Sequence, residues 1–317
     1  MLRYTDVFVP GGFPRHTYNP RAALHLEARL GEARENLCKL VTVTGQTKSG
    51  KTVLTRKTLP PEECVWVDGG TVSEETDFWN VVVEQLGLFQ TTETEESKSR
   101  SAGIEGTGTA KANLFVAKGS AALKAGLADT RGSSTRSSRT ISPRVSALAG
   151  IRHNPRPLVI DDFHYLPRML QAGVVRALKP LIFDGLPVVI IAIPHRRYDA
   201  LKVEKEMTGR IAQIEIPIWS SDELIFIPVT GFELLNYELQ DQTLKKLAAE
   251  AIGSPHLMQD FCRALCRSRD LAAASTRTKL EVSPAEVEAV FGDVADTIGR
   301  PIFEKLARGP STKPRRG

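Results

Sequence analysis

Residues 45–52 read Gly45-Gln46-Thr47-Lys48-Ser49-Gly50-Lys51-Thr52, a complete G-x-x-x-x-G-K-T loop. Glycines at both ends let successive backbone N–H groups turn inward as a nest for phosphate oxygens, and a helix starting behind the loop adds its positive end. Lys51 can reach the outer phosphates and the Thr52 hydroxyl can hold Mg²⁺, so the loop is expected to bind ATP or a similar triphosphate. The alternative is a chance match in a polar turn. The flanking residues argue against it. Leu40-Val41-Thr42-Val43-Thr44 suits a buried parallel strand, and Val53-Leu54-Thr55-Arg56-Lys57 can continue as the first turns of a helix.

Binding alone is not chemistry, and a second group of residues could supply it. Asp161-Asp162 ends the apolar run Leu158-Val159-Ile160, at the edge where open α/β sheets bind ligands. Asp161 suits the Mg²⁺ shell, and Asp162 suits polarising the attacking water. The pair could instead cap a strand–helix turn. Aspartate at the second position is a methylene shorter than glutamate, which fits slow hydrolysis or a switch. His164 could help orient water or simply pack in the turn. After Val188–Ile193 comes Pro194-His195-Arg196-Arg197-Tyr198. There Arg196, with His195 as second choice, would sense the outermost phosphate, unless the segment is a solvated basic turn. Arg210, just before a fifth strand, would project from a subunit edge and touch a neighbour's nucleotide, or be a plain surface arginine.

The elements that must position these groups alternate. A helix is expected over Ala22–Asn36, strands at 40–44, 64–67, 158–162, 188–193 and 211–216, and helices from a Ser73 cap, from Ser142-Pro143 and over Pro167–Phe183. Strands apolar on both faces and alternating with helices mean a parallel sheet between helical layers, an α/β fold. After Trp219 the pattern turns helical, at 220–230, 239–252, 254–269 and 283–298. The expected organisation is an α/β core over 1–220, a helical lid over 221–298 and a basic flexible tail over 299–317. Within the core, residues 93–140 are dominated by small and charged types and read as an insertion, either flexible or a small-residue hairpin.

A net charge of +5, concentrated in 97–144 and the tail, would suit nucleic acid or acidic lipid, or be solvated linker charge. No run of apolar residues could span a bilayer, and the first residues lack a secretory apolar core, so a cytoplasmic location is expected. Cys38, Cys64, Cys262 and Cys266 do not make a disulfide framework. Cys262 and Cys266, with His256 nearby, could share a metal ion or form a buried helical face, and the second fits better without another C-x-x-C pair.

With Tyr18-Asn19-Pro20-Arg21 before a helix, GQTKSGKT, LVIDD, the basic end of strand four, Gly209-Arg210 and Gly253-Ser254-Pro255-His256, the chain resembles the AAA+ and STAND branch of P-loop ATPases over roughly 15–292. That branch includes origin-recognition-like and transposition-regulator groups. The resemblance implies that Tyr18 and Arg21 frame the base, and that His256 stands where an arginine commonly touches the outermost phosphate. The loop and small-residue insertion also look like ATPases of bacterial defence systems.

Three functions compete at this point. The first is an ATP-driven switch that forms a homo-oligomer or signals to a partner effector protein. The second is an ATPase acting on nucleic acid, whose affinity would fall steeply with salt. The third is a scaffold in which the nucleotide is structural.

Overall fold

The computed structural model describes residues 2–35, 37–88, 142–193 and 209–307. The expected insertion over 93–140 lies outside them. Strands β1 (Leu40–Gly45), β2 (Val65–Asp68), β3 (Leu158–Asp161), β4 (Val188–Ala192) and β5 (Ile211–Ile216) form a parallel sheet in the order β2-β3-β4-β1-β5. All residues of β1, β3 and β4 are buried, as strands covered on both faces must be. Alternation along β1 sends Leu40 to one face and Val41 and Val43 to the other. The first face packs on α4 (Glu75–Gln85), α5 (Pro143–His153) and α6 (Arg168–Phe183) through Phe78, Ile151, Val174 and Leu178. The second packs on α2 (Leu26–Gly31) and α3 (Lys51–Thr58) through Leu30 and Leu54.

The order of strands sets the site. β1 lies between β4 and β5, and β3 lies beyond β4. The loop after β1 and the acids ending β3 therefore face the same carboxyl edge, two strands apart.

A second apolar core belongs to α7 (Ser221–Leu234), α8 (Asp241–Glu250), α9 (Pro255–Ser268) and α10 (Pro284–Ala307). Phe232, Leu247, Phe261 and Val290 centre it, each fully or nearly fully buried. Burying a side chain of this size contributes about 1.5–3 kcal/mol. Cys262 and Cys266 lie in this core, and burial pushes both thiols up. Val7, from the short helix α1 (Tyr4–Val7), and Phe8 belong to the same cluster, so the chain's first residues pack with the lid.

Several expectations need adjustment. The helix expected over Ala22–Asn36 is broken. Arg21 and His25 both take left-handed backbone angles, φ 49° and 50°, and 3₁₀ turns flank the short α2. The cap expected at Ser73 falls on Glu74, which exchanges hydrogen bonds with Asp77, although the Ser73 N–H also donates to Asp77. The first lid helix passes the expected end at Thr230, and α10 stays helical beyond 298 to Ala307. The lid also holds a parallel pair that sequence reading missed, β6 (Tyr237–Leu239) with β7 (Thr278–Leu280).

Candidate nucleotide site

Gly50 sits at φ +93°, a conformation that favours glycine, and the chain enters α3 at Lys51 directly after it. A strand, a tight loop and a helix start are thus in place as the motif requires. The Lys51 ammonium bends back onto the loop, donating to the Gly45 carbonyl at 3.0 Å and the Gln46 carbonyl at 2.7 Å. Lys51 is 8 % exposed, and burial pulls its pKa down against the attraction of Asp162 and Asp161. A half-desolvated cation with a donor to spare is an anion receptor. The Ser49 hydroxyl oxygen is buried without a hydrogen-bond partner among the described residues.

Across the loop, the Thr52 hydroxyl donates to the Asp161 carboxylate at 3.3 Å, and the Asp162 N–H donates to the same oxygen at 2.9 Å. Burial pushes the Asp161 carboxyl up, and the hydrogen bond from Thr52 pulls it down. A half-buried hydroxyl and a buried carboxylate oxygen side by side are the hard donor set that Mg²⁺ takes. Asp162 holds left-handed backbone angles, φ 49°, ψ 39°, which cost a non-glycine residue energy, and its side chain is half exposed. The His164 Nδ1 is 3.9 Å from the Asp162 carboxylate, and its ring packs 4.3 Å from that of Tyr165.

Ser49, Lys51, Thr52, Asp162 and His164 line one side of a cavity of about 580 Å³ between the sheet and the lid, with Asp161 just behind Thr52. The opposite side comes from the N-terminal segment and the lid, with Pro10, Phe13, Tyr18, Ile227 and His256 among the lining residues. Phe13 stacks on Tyr18 with centroids 6.4 Å apart. Burial, then the bond to Glu27, pushes the Tyr18 phenol upward, so it stays a neutral, flat, apolar face. The volume and the mix of flat apolar and cationic walls suit a nucleotide.

Solved structures share this architecture. Orc1 from Aeropyrum pernix, solved in complex with DNA, has a TM-score of 0.57 at 14% identity, over 95% of this chain and 72% of that one. The Fold is therefore a P-loop ATPase fold. Cdc6p from Pyrobaculum aerophilum gives 0.53 at 11% identity, over 96% and 88%. A Walker-type ATPase of Pyrococcus abyssi gives 0.53 at 16%, over 90% and 75%. No protein-family model matches the sequence, and no curated protein matches it. The expected parallel sheet and C-terminal helical lid are both present in that fold.

Residue by residue, the loop 45–52, Asp161 and Asp162 are brought together, with Tyr18, Arg21 and His256 on the cavity wall. One of the wall residues is already fully engaged, and another sits beside a carboxylate. The Arg21 guanidinium, 4 % exposed, donates to both Glu223 oxygens at 2.8 Å and to the carbonyls of Pro217 and Ile218. The His256 Nδ1 is 2.9 Å from Asp260, one turn along α9. Arg210 lies at the other end of the sheet. Its carbonyl accepts the Leu40 N–H, and its guanidinium stacks 5.2 Å from the Phe183 ring centroid. The length of β1, roughly 17 Å at 3.3 Å per residue, separates it from this chain's own loop. Arg196 and His195 lie outside the described residues.

Sequence reading missed Trp219, Glu223 and Gln259. The Trp219 indole N–H donates to the Ser49 carbonyl at 3.0 Å. Gln259, buried in the lid, accepts from the Val9 N–H and donates to the Thr17 hydroxyl, tying the N-terminal segment to α9. Only Trp219 had a sequence signal, its place between strand five and the Ser220 cap.

Proposed function

We propose that this chain is an ATP-dependent molecular switch that hydrolyses ATP slowly and changes its assembly, or its grip on a partner protein, with nucleotide state. The observation that carries the reading is the bond of Thr52 to Asp161 beside Lys51, at one end of a nucleotide-sized cavity bordered by the helical lid. Backbone N–H groups of 46–51 and the Lys51 ammonium would hold the phosphates, while Thr52 and Asp161 would hold Mg²⁺. That ion supplies charge neutralisation on the outer phosphates. Asp162 would accept the proton of the attacking water. Tyr18 and Phe13 would offer the base a flat apolar wall.

The lid makes a switch out of this pocket. Residues of α9 and the N-terminal segment share one cavity with the loop, so a ligand that fills it bears on both bodies at once. Arg210, far from its own loop and on an edge, fits a role at a neighbour's nucleotide in a homo-oligomer. Calorimetry with ATP and a non-hydrolysable analogue, then native mass measurement with and without it, tests this. Binding of the analogue with a shift in mass is the expected result. No measurable affinity would sink it.

A DNA-associated role is a second reading, favoured by the likeness to Orc1 solved with DNA and by the net charge of +5. A mobility shift with long duplex DNA, with and without ATP at low salt, decides that point.

A further inference from the structure

The phosphate loop does not stand alone. It is held from behind by a residue that belongs to the hinge of the lid. The chain leaves β5 at Ile216, passes Pro217, Ile218 and Trp219, and enters α7 at the Ser220 cap. Arg21 binds this corner through the Pro217 and Ile218 carbonyls and the Glu223 carboxylate, and its guanidinium carbon lies 4.8 Å from the Trp219 ring centroid. Glu223 in turn accepts the Ser220 N–H at 2.8 Å. Gly253 of the lid approaches so closely that a Cβ there would meet Ile218 at 2.2 Å. The corner is therefore built to hold one indole in one place.

That indole donates to the Ser49 carbonyl at 3.0 Å. A trans peptide points its C=O and N–H in opposite directions, and none of the peptides described is cis. Fixing the Ser49 carbonyl on Trp219 therefore turns the Gly50 N–H away from the indole. Gly50, at φ +93°, is the residue whose freedom would otherwise let this peptide flip. We infer that Trp219 is a positioning residue that locks the Ser49–Gly50 peptide with its N–H presented to the ligand's phosphates, and so links phosphate binding to the hinge of the lid. The inference rests on the nucleotide reading above.

Trp219→Phe keeps an aromatic ring in the corner and removes the donor. It is expected to fold and to melt within a few degrees of the wild type, and to bind ADP and a non-hydrolysable ATP analogue about five-fold more weakly, the effect of one net hydrogen bond. Adenosine, which has no phosphate, should bind both proteins alike. In the wild type, the Trp219 indole N–H resonance should shift on adding ADP and stay unmoved with adenosine. That second measurement stands even if the phenylalanine variant fails to fold. Equal ADP affinity in the variant, an equal loss for adenosine, or an indole resonance indifferent to ADP would each overturn the inference while leaving the nucleotide reading intact. Failure of the wild type to bind ADP or the analogue would instead overturn the nucleotide reading itself.

Discussion

The two walls of the cavity handle charge in opposite ways. On the sheet side, Lys51 and Asp161 are buried with their charges poorly compensated, and burial moves each toward its neutral form. On the lid side, Arg21 is saturated by Glu223 and two carbonyls, and His256 faces Asp260. Glu223 shows the difference. Burial pushes its carboxyl up, but hydrogen bonds from Arg21 and Ser220 together hold it below the usual range. One wall stores an electrostatic cost that a ligand can relieve, and the other has already spent its charges on geometry. Unresolved charge marks where a ligand binds; resolved charge marks what holds the shape.

Substitutions should separate the two walls. Lys51→Ala removes the buried cation and is expected to lower affinity for an ATP analogue at least about 100-fold, since several charge-assisted bonds to phosphate go with it. Calorimetry reads this directly, and wild-type affinity in the variant would break the comparison. Asp162→Asn keeps the shape and loses the base. Binding should persist while turnover falls about 10²- to 10⁴-fold, read as phosphate release under saturating ATP. If turnover survives, the water is activated elsewhere.

On the lid wall, Arg21→Ala should act on the fold before it acts on the ligand. It strands a partly buried carboxylate and two carbonyls, which costs about 3 kcal/mol of stability, the low end for a broken buried pair because Glu223 keeps 26 % side-chain exposure. Urea unfolding of the free protein measures it. A loss of nucleotide affinity without a loss of stability would make Arg21 a ligand contact after all. Asp161→Asn should do the reverse. Its carboxyl is raised, so its favourable contribution is present only below the unfolded value near 3.8 and is lost as pH rises through the folded value. At neutral pH the charge therefore destabilises the empty protein. The amide variant should be more stable than the wild type without nucleotide, while Mg²⁺-dependent stabilisation by ATP disappears.

The same contrast explains what could be read from the residues alone. The loop 45–52 and the Asp161-Asp162 step are chemistry encoded over a few neighbours, with a strand on one side and a turn on the other. The sheet was legible because Leu158–Ile160 and Val188–Ile191 need two covered faces. The lid wall was not. Trp219 meets Ser49 across 170 residues, and Arg21 meets Glu223 across 202, separations that no local pattern records. Arg21 drew notice only through the resemblance, as a residue framing the base, and its bond to Glu223 had no local signal. The broken helix after it escaped notice because Leu24, Leu26 and Leu30 keep a helical stripe while Arg21 and His25 turn left-handed between them. The β6–β7 pair comprises three-residue strands with too few apolar positions to announce themselves.

The smallest expected effect lies far from the ligand, at the start of α10, and it sharpens the rule that resolved charge serves shape. Glu286 accepts from the Ser283 N–H and hydroxyl, each at 2.8 Å, and from Arg269 at 3.0 Å. Bonds from Ser283, followed by Arg269, pull its carboxyl down to about 2. A lowered carboxyl contributes stability that is fully present above the unfolded value near 4.5 and is lost as pH falls through about 2. Glu286→Gln should therefore match the wild type at pH 2 and be slightly less stable at pH 6, where the cap is charged. Nucleotide affinity at pH 6 should be unchanged, because this carboxylate anchors a helix that contributes no residue to the cavity wall. A pH-independent difference in melting between the two proteins would mean the cap works through shape alone, without its charge.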